Sequence, residues 1–395
     1  MEKIFMKNKL THVDALKCIN ILVVASYFYP KIGGLENYAY LLAKKLHESG
    51  EYRVSILTSN YEGLHYKQEI VDGMMVHRLP ILFKISNTPI NPAWYWWAKR
   101  IIASEKPDIV HLHSPVPYLP DLAAAAAKDI PVVLTYHSGS MLKNKRIIDM
   151  FIAFYEHIFL RWLFKRADAV ITISQEFAKR KFPQFTNKMY FIPTGVDLIR
   201  FKEMPLPMNT EVVTFVGRVE LSSKWKGIDQ LLLAMVIVLK RRPQSVLEIV
   251  GGGDALEYYK ERAKEFGIFD RVIFSGPLLG DSLVRAYARS SAVVLPSISD
   301  AEAFSVVLVE AMASGRPIIG TNIGGTPQVI EHEKNGLLVP PKDPERLAEA
   351  IERILSNKEL SLSMATYGAL KAKNFSWDSQ ARKYSALFRA ILRKY

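Results

Sequence analysis

Ala292-Val-Val-Leu-Pro-Ser-Ile-Ser-Asp-Ala-Glu-Ala-Phe-Ser-Val-Val-Leu-Val-Glu-Ala-Met-Ala-Ser-Gly-Arg-Pro-Ile-Ile-Gly-Thr321 is the stretch whose reading decides the fold. Residues 292–296 form a short apolar run of strand type. Residues 306–312 read as a buried helix, with Ser305 near its start and Gly315-Arg-Pro317 ending it. Residues 317–321 are the next strand. Strand, helix and strand in that order need a crossover, and hence a parallel sheet. Glu302 then lies in the loop before the helix, and Glu310, with seven residues between them, projects from about the second turn. A helix N-terminus offers unpaired N–H groups and a positive dipole end, which suit a phosphate. Two acceptors flanking such a seat suit hydroxyl groups on either side of a diphosphate. Glutamates at this spacing also arise by chance, so the rest of the chain has to supply their company.

Outward from this unit the same alternation continues. The second half predicts strands at 212–216, 245–250, 272–275, 292–296 and 317–321, and the first half at 19–25, 53–58, 75–79, 109–113, 131–135, 169–174 and 189–192. Between the two series lies Pro193-Thr-Gly-Val-Asp-Leu-Ile-Arg-Phe-Lys-Glu-Met-Pro-Leu-Pro207, rich in proline and without period, which marks the domain boundary. The expected fold class is α/β, with two doubly wound Rossmann-like domains facing a central cleft. Ligands of such sheets bind outside the C-terminal ends of the strands.

Composition narrows the classes. With 395 residues the chain is long enough for two domains, and 49% hydrophobic with 23% charged residues is globular. The single cysteine, Cys18, excludes an internal disulfide framework and fits a reducing cytosol. The apolar segment 18–26 is read as the first buried strand rather than a signal peptide, for it lacks a small-residue cleavage site. About fifteen residues ahead of it read as a basic, poorly ordered extension. The formal net charge of +13 predicts anionic company. There is no long basic block and no nucleic-acid-binding motif, so nucleic acid is not an expected partner.

Several loops gather at predicted strand ends. Tyr29-Pro-Lys-Ile-Gly-Gly-Leu-Glu36 separates the first strand from a helix at about 36–48; Gly33 and Gly34 allow either a tight turn or a close approach to a ligand. Val216-Gly-Arg-Val-Glu-Leu-Ser-Ser-Lys-Trp-Lys-Gly227 sends Arg218 and a lysine away from a strand end together, as a diphosphate clamp or a plain basic loop. Gly251-Gly-Gly253 and Gly324-Gly-Thr326 are further glycine turns. The three-glycine dinucleotide fingerprint is absent. His137 follows the strand 131–135. No metal is expected: metal-ligand spacing is missing, and His111 and His113 are read as alternating to opposite faces of a strand.

Taken in order, these stretches resemble the family-4 retaining glycosyltransferases (glycosyltransferase group 1, GT-B fold), over residues 19–390. The matching features are Gly33-Gly34, His137, Thr194-Gly-Val-Asp197, Gly217-Arg218 with a later Lys-Gly, Gly251–Gly253, Glu302 with Glu310, and Asn335-Gly-Leu-Leu-Val339. The resemblance implies an N-terminal acceptor-side domain at 17–200, rejoined by a crossover helix at 379–395, and a nucleotide-sugar-binding domain at 201–378. It implies a nucleotide-diphosphate sugar as donor and no cofactor or metal. Arg218 and Lys226 would hold the diphosphate and neutralise the leaving group. Glu310 would accept from the ribose, Glu302 from the transferred sugar, and the amides around Phe304 and Ser305 would meet phosphate or sugar. Gly33 and Gly34 would close over the phosphates, and His137 would bond the sugar near its anomeric carbon. Ala303 and Ser305 stand where the family often has glycine, and Lys224 competes with Lys226 for the phosphate role.

The acceptor is left open, as a saccharide or a lipid-linked hydroxyl. Asn91-Pro-Ala-Trp-Tyr-Trp-Trp-Ala-Lys-Arg100 and Phe151-Ile-Ala-Phe-Tyr-Glu-His-Ile-Phe-Leu-Arg-Trp-Leu-Phe-Lys-Arg166 mix aromatic with basic residues. Such segments suit an anionic membrane surface or core-facing amphipathic helices with solvated basic faces, the second segment more the latter. The expectation is a retaining, metal-independent hexosyltransferase, cytoplasmic and peripheral at the inner face of the membrane. The alternatives are a sucrose- or trehalose-synthase-like enzyme with a free-sugar acceptor, and a sugar-nucleotide-binding protein without transfer.

Overall fold

The computed structural model describes residues 18–31, 33–137, 146–173, 179–207 and 210–395, the first three of the 146–173 stretch by backbone alone. The N-terminal extension, Ile32 of the glycine loop, Ser138-Gly139 after His137 and Ser174 at a predicted strand end lie outside them. The chain divides into two compact units after Val132, with Lys394–Tyr395 counted in the first. The proline-rich stretch 193–207 therefore falls inside the second unit.

In the first unit, β1 (Ile19–Val24), β2 (Tyr52–Asn60), β3 (Lys67–Val71), β4 (Met74–Pro80) and β7 (Ile109–Ser114) run in the order β7-β1-β2-β4-β3. All pairings are parallel except β3 with β4. A small hairpin, β5 (Phe83–Ile85) with β6 (Thr88–Ile90), stands apart. β1 is buried along Ile21–Val24, as a strand covered on both faces must be. Cys18 lies just outside it and is exposed, so the buried run starts at Ile21, three residues later than expected. The order reverses at β1, with β2 on one side and β7 on the other, and the glycine loop leaves β1 there. The helix Gly34–Glu48 follows, carrying Glu36 in its first turn and Lys45 and His47 in its last, each complementing the helix dipole.

His111 and His113 correct an expectation. Their rings lie 4.4 Å apart and both residues are fully buried in β7. Residues two apart on a strand share a face, so opposite faces were the wrong reading.

The second unit holds β8 (Val132–Tyr136) from Val133 onward, β9 (Ala169–Thr172) and β10 (Met189–Phe191), with β9 parallel to both others. It also holds β11 (Val212–Val216), β12 (Val246–Val250), β13 (Val272–Gly276), β14 (Ala292–Leu295), β15 (Ile318–Thr321) and β16 (Gly336–Val339). These six form one parallel sheet in the order β13-β12-β11-β14-β15-β16, the doubly wound arrangement, with its switch point between β11 and β14. The C-terminal helix Trp377–Leu392 is capped by Ser376, whose side chain accepts from Ser379 N at 3.0 Å. It reaches β8, where Tyr384 Oη and Thr135 Oγ1 lie 2.9 Å apart.

Arg316, quoted above only as a helix terminator, is fully buried and binds five backbone carbonyls. It donates to Ser314, Ala288, Ser290 and Pro205 at 3.1, 3.2, 3.3 and 2.7 Å, and also to Met204. One guanidinium thus ties the proline-rich stretch to the turns that end two helices.

Candidate functional site

Two loops meet at the switch point of the six-stranded sheet. The first leaves β11 through Gly217-Arg218, passes a 3₁₀ turn at Leu221–Lys226 and enters the next helix at Gly227. The second leaves β14, carries Ser297 to Ser305, and becomes the helix Val306–Ala313. Gly227 has φ +77°, and a Cβ there would fall 1.9 Å from the Pro296 carbonyl oxygen, so only glycine permits this approach. Ile298 N donates to Trp225 O at 2.7 Å beside it. The loops are therefore locked backbone to backbone.

The lock brings Lys226 to Glu302. Lys226 Nζ donates to Glu302 Oε2 at 3.1 Å, and the buried Ser297 Oγ donates to the same oxygen at 3.2 Å. Both members of the pair are largely buried. Lys224 takes another course, its Nζ resting 3.8 Å from the centre of the Tyr258 ring. Of the two competing lysines, Lys226 is the one beside the glutamate. Arg218 is exposed on the same loop, with Nη1 3.3 Å from Glu220 Oε2. The structure does not join it to Glu302 by any contact.

Behind Glu302 the turn Gly324-Gly325 presses on the loop. Gly325 N donates to Glu302 O at 2.6 Å. A Cβ on Gly324, at φ +58°, would come within 2.4 Å of that same oxygen. Ser305 Oγ and Thr326 Oγ1 lie 3.3 Å apart. The amides of Ala303, Phe304 and Ser305 make no hydrogen bond among the described residues, and they stand at the start of the helix. Free amides close to a helix N-terminus are groups of the kind that suit an anion. The Phe304 side chain is buried against Phe375, ring centres 5.8 Å apart, so this residue offers its backbone.

Glu310 occupies the second turn of that helix, where Tyr287 Oη donates to its Oε2 at 2.8 Å. Burial pushes the carboxyl up to about 7, against the downward pull of the Tyr287 hydrogen bond and the Arg200 charge. Glu302 and Glu310 thus stand in different environments, one ion-paired and one poised near neutrality. Ser297 and Tyr287, which hold them, were not singled out by sequence. Ser297 lies within the quoted stretch, but Tyr287 comes from the preceding helix and no motif connects it with Glu310.

His137 follows β8, and burial lowers its imidazole to about 3. It is therefore a neutral ring at physiological pH, suited to hydrogen bonding. Gly33 and Gly34 lie in the first unit. The Glu36 carboxylate folds over Gly33, whereas a Cβ at Gly34 would meet nothing within 4 Å. Among the described residues no three His, Cys, Asp or Glu side chains gather as a metal-binding group.

The two aromatic segments differ. In the first, Trp94 is buried and its Nε1 donates to Pro80 O at 2.8 Å, and Trp97 stacks on Tyr66, leaving Trp96 exposed. In the second, Leu160, Leu163 and Phe164 are buried while most of the other large apolar side chains are exposed.

Residues 32–200 match the family described as Glycosyltransferase Family 4, and residues 198–371 match Glycosyl transferases group 1. The chain belongs to this family of glycosyltransferases. It is 27% identical to an uncharacterized glycosyltransferase of Methanocaldococcus jannaschii over 92% of this chain and 96% of that one. It is 25% identical to a phosphatidyl-myo-inositol mannosyltransferase of Mycolicibacterium smegmatis, over 94% of each. Among solved structures, sucrose-phosphate synthase of Thermosynechococcus elongatus aligns with a TM-score of 0.72 at 24% identity, covering 95% of this chain and all of that one. HepE of Anabaena in complex with UDP-glucose aligns at 0.66 and 19% identity, covering 94% of this chain and all of that one. At these identities the structures establish the GT-B fold.

Proposed function

We propose that this glycosyltransferase is retaining and metal-independent, moving a hexose from a nucleotide-diphosphate sugar to an acceptor hydroxyl that is lipid-linked or close to an anionic membrane. The observation that carries the reading is the pairing of Lys226 with Glu302 beside three free amides at a helix N-terminus. A diphosphate arriving at the amides would draw Lys226 Nζ to its oxygens and free Glu302 for sugar hydroxyls. Exposed Arg218 would add a second cation to the departing phosphate. These positive groups take the place a metal ion would fill.

Glu310, held by Tyr287, would accept from the ribose hydroxyls. Neutral His137 would hydrogen-bond the sugar near its anomeric carbon, and Gly33 and Gly34 would cover the phosphates. The acceptor hydroxyl would attack from the face the nucleotide leaves, passing its proton to the departing phosphate, so the anomeric configuration is retained. The HepE complex with UDP-glucose supports the donor class, and the mannosyltransferase of Mycolicibacterium supports a lipid acceptor.

The test is a screen of UDP-, GDP- and ADP-sugars for binding and slow hydrolysis, with and without EDTA. EDTA-resistant hydrolysis of one donor, releasing sugar that first keeps its configuration, is the expected result. Inverted sugar, or hydrolysis abolished by EDTA, would overturn it. So would unchanged turnover in Glu310→Ala.

A further inference from the structure

The second aromatic segment forms one helical run, Arg146–Tyr155, a π-helical turn at Glu156–Leu160, and Arg161–Arg166. Leu160, Leu163 and Phe164 bury one side of it. On the other side Met150, Phe151, Phe154, Ile158, Phe159 and Trp162 are between 41% and 66% exposed. Spacing of i, i+4, i+8 and i+12 puts Met150, Phe154, Ile158 and Trp162 in one stripe. The wider π turn adds a residue to the ladder, and Ile158 and Phe159 are exposed side by side. An outward face this apolar marks an interaction surface rather than scattered exposure.

We propose that this face seats on an anionic lipid bilayer. Charge selects that occupant. Arg161 and Lys165 are exposed at the C-terminal end of the stripe; of the two acids on the run, Glu156 is ion-paired with Lys181 and Asp149 is half-buried at the opposite end. A second copy of the chain, docking through the same face, would bring together two chains that each carry a net charge of +13. An acidic headgroup layer offers the opposite sign, and acyl chains accept the phenyl and indole rings. No helix among the described residues is long and apolar enough to cross a membrane, so the contact is interfacial. The inference deepens the proposed reading and rests on it for its purpose, since a face on the bilayer brings the enzyme to a lipid-borne hydroxyl.

The test is co-sedimentation of the full chain with phosphatidylcholine vesicles, with and without phosphatidylglycerol, at low salt. Binding to the phosphatidylglycerol vesicles, weakened by salt and by omitting the anionic lipid, is expected. The double variant Phe154→Glu with Trp162→Glu should lose at least about tenfold in vesicle affinity while its melting temperature and donor hydrolysis stay unchanged. Wild-type protein that ignores the anionic vesicles overturns the proposal, as does a double variant that binds as well as wild type. A concentration-dependent dimer dissolved by the same variant overturns it in favour of self-association. Vesicle binding is read without turnover: binding without hydrolysis of any donor sinks only the transferase reading, and hydrolysis without binding sinks this inference and the membrane-proximal acceptor with it while the sugar transfer stands.

Discussion

Lys226 and Glu302 form an ion pair at 3.1 Å across two loops that the fold joins at the switch point of its second sheet. The pair aims the lysine, and Ser297 Oγ donating to the same carboxylate oxygen fixes the glutamate. Lys226→Met should lower kcat/KM for the donor about 10²- to 10³-fold, the usual loss when one electrostatic stabiliser is removed. Glu302→Gln should cost less in binding than Lys226→Met. The double variant should lose less than the sum, because the residues are in direct contact. Steady-state kinetics on the four proteins check this.

Glu310 sets a pH dependence. Its carboxyl is raised from 4.5 to about 7 by burial, so between those values the native state holds a proton that the unfolded chain has released. Stability contributed at this site therefore declines as pH rises through that window. The carboxylate accepts ribose hydroxyls best when ionised, so donor affinity should rise with pH around 7. Glu310→Gln should flatten both trends, visible in melting temperature and in donor titrations from pH 5 to 8.

His137 behaves in the opposite sense. Burial lowers its imidazole from 6.5 to about 3, so below pH 6.5 the unfolded chain takes a proton that the native protein refuses. Stability at this position is lost as pH falls from 6.5 toward 3. No titration of this ring should appear between pH 5 and 9 in histidine proton NMR, and His137→Asn should leave the shape of the kcat profile unchanged.

Arg316→Met should destabilise the protein by about 3 kcal/mol or more, because carbonyls from Met204 and Pro205 to Ser314 lose a buried donor. Thermal denaturation checks it. Burial lowers the guanidinium to about 10, so the wild-type contribution holds through neutral pH.

Gly324→Ala and Gly34→Ala make a contrasting pair. The first combines φ +58° with a Cβ 2.4 Å from Glu302 O and should cost about 3 kcal/mol. The second meets nothing within 4 Å and should change stability by less than about 0.5 kcal/mol. If Gly34 closes over the donor phosphates, its alanine variant should still raise KM for the donor.

Most of the fold was legible because buried parallel strands are short apolar runs, and 212–216 was read with its observed ends. β3 escaped because Lys67-Gln-Glu-Ile-Val71 is an exposed, charged strand without an apolar face. Its one signal is the turn Asp72-Gly73, both at positive φ, which a two-residue hairpin requires. The hairpin Phe83–Ile85 with Thr88–Ile90 is too short for any period to show. The places of Glu302 in the loop and Glu310 in the second turn of the helix were legible, while the contacts of Tyr287 and of Arg316 were not. Their partners are chosen by tertiary placement, and neither period nor motif encodes that. His111 and His113 share a face because a strand's side chains repeat every two residues.

The glycines at 227, 251, 253, 324 and 325 all stand where a side chain would strike a neighbouring loop's carbonyl oxygen, from 1.8 to 2.4 Å away. Divergence of such a catalyst is thereby channelled. Any substitution at these positions alters the chassis before it alters taste for a sugar or base. New preferences have to arise at the side chains mounted on that chassis, because the chassis itself has no room for change.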